Sequence, residues 1–118
     1  ALYQDTDRGR EGLMIEAVFL THTGGLLGFH ITGHAGGAAG TDIVCAAVSS
    51  AAYLVANTVT EVMGAVPREL TAEEGDMLLR LSPEDVPKCR TVLLGLRLHL
   101  TGLEEQYPED IRVSYMEI

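Results

Sequence analysis

From Ile43 to Ala56 the chain carries no charged residue, and only Ser49 and Ser50 interrupt a strongly apolar run. Such a run belongs either in a membrane or in the middle of a folded core. It is shorter than the roughly 18 or more apolar residues expected of a membrane span, which favours a core helix. Asp42 supplies a cap, because its carboxylate can accept hydrogen bonds from the amides of Val44 or Cys45 that a first helical turn leaves free. From there the helix is expected to run to about Met63. Ile43, Ala47, Ala51 and Leu54 form one apolar ridge, and Val44, Val48, Val55, Val59 and Val62 a second. Apolar on both sides, the helix should be largely buried, with alanines that let a neighbour approach closely.

The flanking segments have strand character. Leu13–Leu20 is short and apolar, and Thr21-His22-Thr23-Gly24-Gly25 follows as a turn. Leu26–Thr32 returns, with Leu27, Phe29 and Ile31 on one face and Leu26, His30 and Thr32 on the other. Val66–Leu70 and Met77–Leu81 read as two further strands around the acidic turn Ala72-Glu73-Glu74-Gly75-Asp76. Ser82-Pro83-Glu84-Asp85 marks a helix start, with Ser82 as cap, Pro83 at the first position and Leu81 and Val86 as a hydrophobic staple. Val86, Cys89, Leu93, Leu96, Leu100 and Leu103 recur at spacings of three and four, the stripe of an amphipathic second helix. Pro108 ends it, and Ile111–Ile118 reads as a last strand. The order β-β-α-β-β-α-β suits an α+β, two-layer sandwich: one mostly antiparallel sheet with both helices on one face. Residues 1–13 have no period and no apolar face. They read as a disordered or expression-derived arm, with Met14 as the natural start.

A length of 118 residues, 47% of them hydrophobic, suits one domain with one core. The net charge of −9 argues against a nucleic-acid binder, which needs Lys and Arg to neutralise phosphates. It is compatible with a basic protein or peptide as partner. Two cysteines are too few for a disulfide-stapled scaffold. The polar first twelve residues show no signal-peptide pattern, so the cytoplasm is the expected compartment and no membrane contact is expected.

Gly33–Gly40 (GHAGGAAG) is the chain's small-residue loop. It lacks the lysine of a P-loop, and its glycines give no G-x-G pair. With Gly36, Gly37 and Gly40 and no large side chain, residues 35–41 are expected to be mobile without a ligand. The helix that follows the loop carries Cys45, its third residue if Asp42 is the cap. Free amides and the helix dipole there favour a thiolate, while the Asp42 carboxylate opposes one. His34, eleven residues earlier, is the nearest base. Cysteine with a nearby histidine is the minimum for thiol nucleophilic catalysis, and loop amides can supply donors to an oxyanion. The competing reading is plainer. A cysteine at a helix start is more often a small buried hydrophobe, and a histidine after a strand is usually structural. Cys89 falls in the apolar stripe and reads as core. His22, His30, His34, Cys45 and Cys89 show no short paired spacing of the zinc type, so no metal site is expected.

Gly33-His34-Ala35, followed by a small-residue loop and Asp42-Ile43-Val44-Cys45-Ala46-Ala47-Val48-Ser49, resembles the signature of the Prp family of ribosomal-processing cysteine proteases. The resemblance extends over Met14–Ile118, as a single cysteine protease domain. It implies a homodimeric endopeptidase, without cofactor, that removes a short N-terminal extension from a large-subunit ribosomal protein after a hydrophobic stretch ending in Phe-Ala. It implies His34 and Cys45 as the catalytic pair. Asp42 and Ser49 would support them, and Gly33, Gly36, Gly37 and Gly40 would shape the loop that meets substrate. Two features depart from the family pattern: a loop one residue shorter, and Gly36-Gly37-Ala38-Ala39 where an aromatic or charged residue is common. The alternative is a noncatalytic ribosome-associated adaptor, whose Cys45 would show no special reactivity towards an alkylating agent.

Overall fold

The computed structural model describes residues 14–33 and 41–118. The N-terminal arm and residues 34–40 lie outside the described residues, and with them His34, Gly36, Gly37, Gly40 and the expected loop mobility.

Strand β1 (Ile15–His22) buries Ile15, Ala17 and Phe19 and exposes Glu16, the alternation of a sheet with one covered face. Strand β2 (Gly25–Thr32) returns antiparallel and sets Phe29 opposite Phe19. The tight turn has positive φ at both central residues, Thr23 (47°) and Gly24 (83°), which matches the right-handed twist of the strands it joins. Glu117 braces that turn. Its carboxylate accepts from the Thr21 hydroxyl at 2.8 Å and from the Thr23 amide at 3.0 Å. Those two bonds, the Thr21 hydroxyl first, hold its carboxyl below the usual glutamate value.

Helix α1 (Thr41–Asn57) follows, continued by π turns over Thr58–Val62, where Met63 N–H donates to the Thr58 carbonyl at 2.8 Å. Strands β3 (Glu69–Glu73) and β4 (Asp76–Arg80) form a second hairpin, and a short 3₁₀ turn (Pro83–Asp85) leads into helix α2 (Val86–Gln106). Strand β5 (Ile111–Glu117) then pairs parallel to β1, while the other strand pairs are antiparallel. The sheet order is β3-β4-β2-β1-β5. This is the expected α+β order with a mostly antiparallel sheet. Val44, Val48, Ala52 and Val55 of α1, Val59 of the π turns, and Cys89, Leu93, Leu96 and Leu100 of α2 share one core with Phe19, Phe29, Leu79 and Ile111.

Four local expectations need correction. Helix α1 begins at Thr41, so Asp42 is its second residue rather than its cap. Strand β3 lies three residues later than Val66–Leu70, because pairing of Leu70 with Leu79 and Glu73 with Asp76 sets the register. Ser82 makes no side-chain cap bond; the Asp85 amide donates instead to the Ser82 carbonyl at 2.9 Å. Only one ridge is buried, and not to its end: Val44 and Val59 are inaccessible and Val62 is 79% exposed, whereas Ile43 and Leu54 of the other ridge are 63% and 67% exposed. The helix also continues past Ala56, so Ile43–Val62 is 20 residues long and by length and composition could cross a membrane. One such helix says little, since the central helix of a folded core meets the same test, and here its valine ridge is packed inside the domain.

Candidate active site

Cys45 points its fate through its position on α1. Successive residues of a helix turn by about 100°, so Cys45 and Ser49 lie one above the other on the same side. Neither belongs to the valine ridge that faces the sheet. Cys45 is half-buried and Ser49 exposed, and both line one cavity of about 420 Å³. The other walls come from the sheet: Ile15 of β1, Ile31 of β2 with Gly33 beyond it, Met77 of β4, and the β3–β4 turn from Glu73 to Asp76.

Gly33 is fixed at the end of β2 with φ of +89°, and a Cβ there would lie 2.4 Å from the Met14 carbonyl oxygen. Glycine is therefore required on two counts, by conformation and by space. Its amide donates to the Gly75 carbonyl at 3.0 Å. The position just before His34 thus sits on the wall of the cavity that holds Cys45. Asp42 falls within the first turn of α1, three residues before Cys45. Because the helix starts at Thr41, Cys45 is its fifth residue, and the stabilisation that free amides and the dipole give a thiolate fades beyond the first turn.

The two thiols differ sharply in setting. Cys89 is fully buried in the core. Burial pushes its thiol above the ordinary value, the Asp85 carboxylate adds to the rise, and Lys88 opposes it. Of the remaining histidines, His30 pairs with Asp76, Nε2 to Oδ1 at 2.7 Å, on β2 and β4. His22 Nδ1 lies 2.5 Å from the Ile118 carbonyl oxygen. His30 is a strand residue as read from the sequence, whereas His22, read as a turn residue, is the last residue of β1. Among the described residues no group of three His, Cys, Asp or Glu is placed to hold a metal ion.

The sequence reading missed the far wall and one near neighbour. Glu73, Glu74, Asp76 and Met77 reach the cavity through the sheet order, for which no local pattern exists. Tyr53 also lines it, and its spacing of four from Ser49 and eight from Cys45 was a legible signal. What the arrangement offers is an accessible thiol beside a hydroxyl, in a cleft with an apolar floor and a carboxylate rim.

Known proteins resemble this chain in sequence and in fold. The family model described as Cysteine protease Prp matches residues 14–112. The ribosomal processing cysteine protease Prp of Bacillus subtilis (strain 168) is 32% identical over 108 residues, covering 86% of this chain and 96% of that protein. The crystal structure of SMU.848 from Streptococcus mutans is similar with a TM-score of 0.77 and 30% identity, over 92% of this chain and 98% of that one. An essential ribosomal processing protease Prp from S. aureus, solved with a covalently linked product peptide, is 25% identical with a TM-score of 0.76. That match covers 87% of this chain and all of that one, 100%.

Proposed function

The chain belongs to the cysteine protease Prp family, and from that premise we propose that it removes a short N-terminal extension from a large-subunit ribosomal protein, with Cys45 and His34 as its catalytic dyad. The observation that carries the reading is the cavity lined by Cys45, Ser49 and Gly33. It is lined both by half-buried Cys45 and by the residue that immediately precedes His34.

In this mechanism the imidazole of His34 takes the Cys45 proton, and the sulfur attacks the scissile carbonyl. The tetrahedral intermediate collapses to a thioester as the leaving amine receives that proton; water then releases the acyl product and restores the thiol. Ser49, one turn along, and Asp42 act in support. Gly36, Gly37 and Gly40 form the loop that meets the peptide. The covalently linked product peptide of the S. aureus relative is in keeping with an acyl-enzyme route. The working state is a homodimer in the cytoplasm. The groove of about 550 Å³ between the helices, lined by Ala47, Ala51, Leu54, Val92 and Gly95, offers an apolar surface for pairing.

Incubation with the host's own ribosomal precursor tests the reading. Cleavage at one bond, lost by roughly a hundredfold or more in folded His34→Ala, is the expected result. Binding of the precursor without cleavage would identify an adaptor instead. Light scattering of the native chain and of Leu54→Glu tests the dimer, which the glutamate should dissociate.

A further inference from the structure

Cys45, Ser49 and Tyr53 recur every four residues along α1, and all three line the same cavity. Tyr53 is 44% exposed, a large ring left half in water although Val48, Ala52, Ile31 and Met77 line the same cleft. An aromatic ring in that position gains apolar burial only when something fills the cleft, and its hydroxyl can stay at the wet edge. Eight residues of helix at 1.5 Å rise place it about 12 Å along the axis from Cys45. A peptide extended at about 3.3–3.6 Å per residue covers that distance in roughly three or four residues.

We propose that Tyr53 is a specificity-determining residue: its ring holds an apolar side chain of the peptide three or four residues from the bond cut at Cys45. The proposal rests on the protease reading for the identity of the peptide. It adds which side chain of the enzyme selects which part of that peptide. Ser49, midway along the same stripe at about 6 Å, lies beside the peptide backbone between the two.

The test is a set of binding and turnover cycles with a fluorescein-labelled peptide spanning the ribosomal precursor's processing site. In companion peptides each residue within five positions of that site, on either side, is replaced singly by serine. Binding is read by anisotropy on Cys45→Ala, which cannot turn the peptide over, with and without Tyr53→Ala. The expected result is a roughly tenfold weaker Kd for the parent peptide when Tyr53 is removed. The peptide carrying serine at the third or fourth position should show no further loss. Tyr53→Phe should bind within about twofold of Tyr53, since the ring carries the contact. In turnover, Tyr53→Ala should raise KM more than it lowers kcat, and alkylation of Cys45 should be unchanged. Equal weakening of every peptide, unchanged binding of all of them, or no binding of the parent peptide overturns the proposal. Coupling to Tyr53 in a chain that cleaves nothing sinks the protease reading alone; cleavage without coupling sinks the Tyr53 assignment alone.

Discussion

The Gly33 amide donates to the Gly75 carbonyl at 3.0 Å, tying the end of β2 to the turn between β3 and β4. Both ends of that bond line the cavity of Cys45. The bond therefore fixes where the chain enters the segment carrying His34 relative to the opposite wall.

Gly33→Ala should damage both fold and activity. The substitution forces an L side chain to φ of +89° and drives its Cβ to 2.4 Å from the Met14 carbonyl oxygen. The backbone cost alone is about 1–2 kcal/mol, and relief of the clash displaces β1 or β2. Urea unfolding should show a loss of about 2 kcal/mol or more, and cleavage should fall even where the protein remains folded. An alanine variant with native stability would show that the end of β2 is not held as described.

Alkylation should separate the two cysteines. Iodoacetamide near neutral pH should modify half-buried Cys45 much faster than Cys89, which is buried and whose thiol is pushed up by that burial. The same shift has a consequence for stability. A thiol pKa above its unfolded value, about 8.5, leaves stability intact below that pH and erodes it as pH rises through the folded value. Thermal unfolding between about pH 7 and 10 should show this alkaline loss. Cys89→Ala, less stable at neutral pH because a buried side chain is trimmed, should show a smaller one.

The first hairpin carries a correctable strain. Thr23 is β-branched yet sits at φ of 47°, a region where Asn is far better tolerated. Thr23→Asn keeps the backbone amide that donates to Glu117 and should stabilise the protein by about 0.5–1 kcal/mol, read as a rise in Tm. A fall would mean that the Thr23 hydroxyl bond to the His22 carbonyl, 2.8 Å long, outweighs the backbone strain.

Most of the fold was legible because the elements that matter are strongly periodic. The α2 stripe Cys89, Leu93, Leu96 and Leu100 is buried as its spacing demands. So is the β2 face of Leu27, Phe29 and Ile31. What misled was apolar content without burial. Val66–Leu70 read as a strand on its apolar ends, but Val66 lies before the strand, Val66 and Leu70 are 79% and 50% exposed, and Leu70 lies on an edge strand whose charged residues hide its period. Ile43 and Leu54 likewise suggested a helix enclosed on both sides, when only the valine ridge is covered. At the site, Cys45 and Ser49 could be placed together from helical spacing alone. Their meeting with Met77 and the β3–β4 turn could not, because it depends on β4 pairing with β2, a contact between segments far apart in sequence.

Mass spectrometry of the ribosomal precursor after incubation with Cys45→Ala tests the nucleophile most directly. The exchange removes little volume, so the folded state should persist, and circular dichroism verifies it. The native chain and Cys89→Ala should both yield the shortened ribosomal protein and the released N-terminal peptide, whereas Cys45→Ala should leave the precursor at full mass. Processing by folded Cys45→Ala at the native rate would contradict the account.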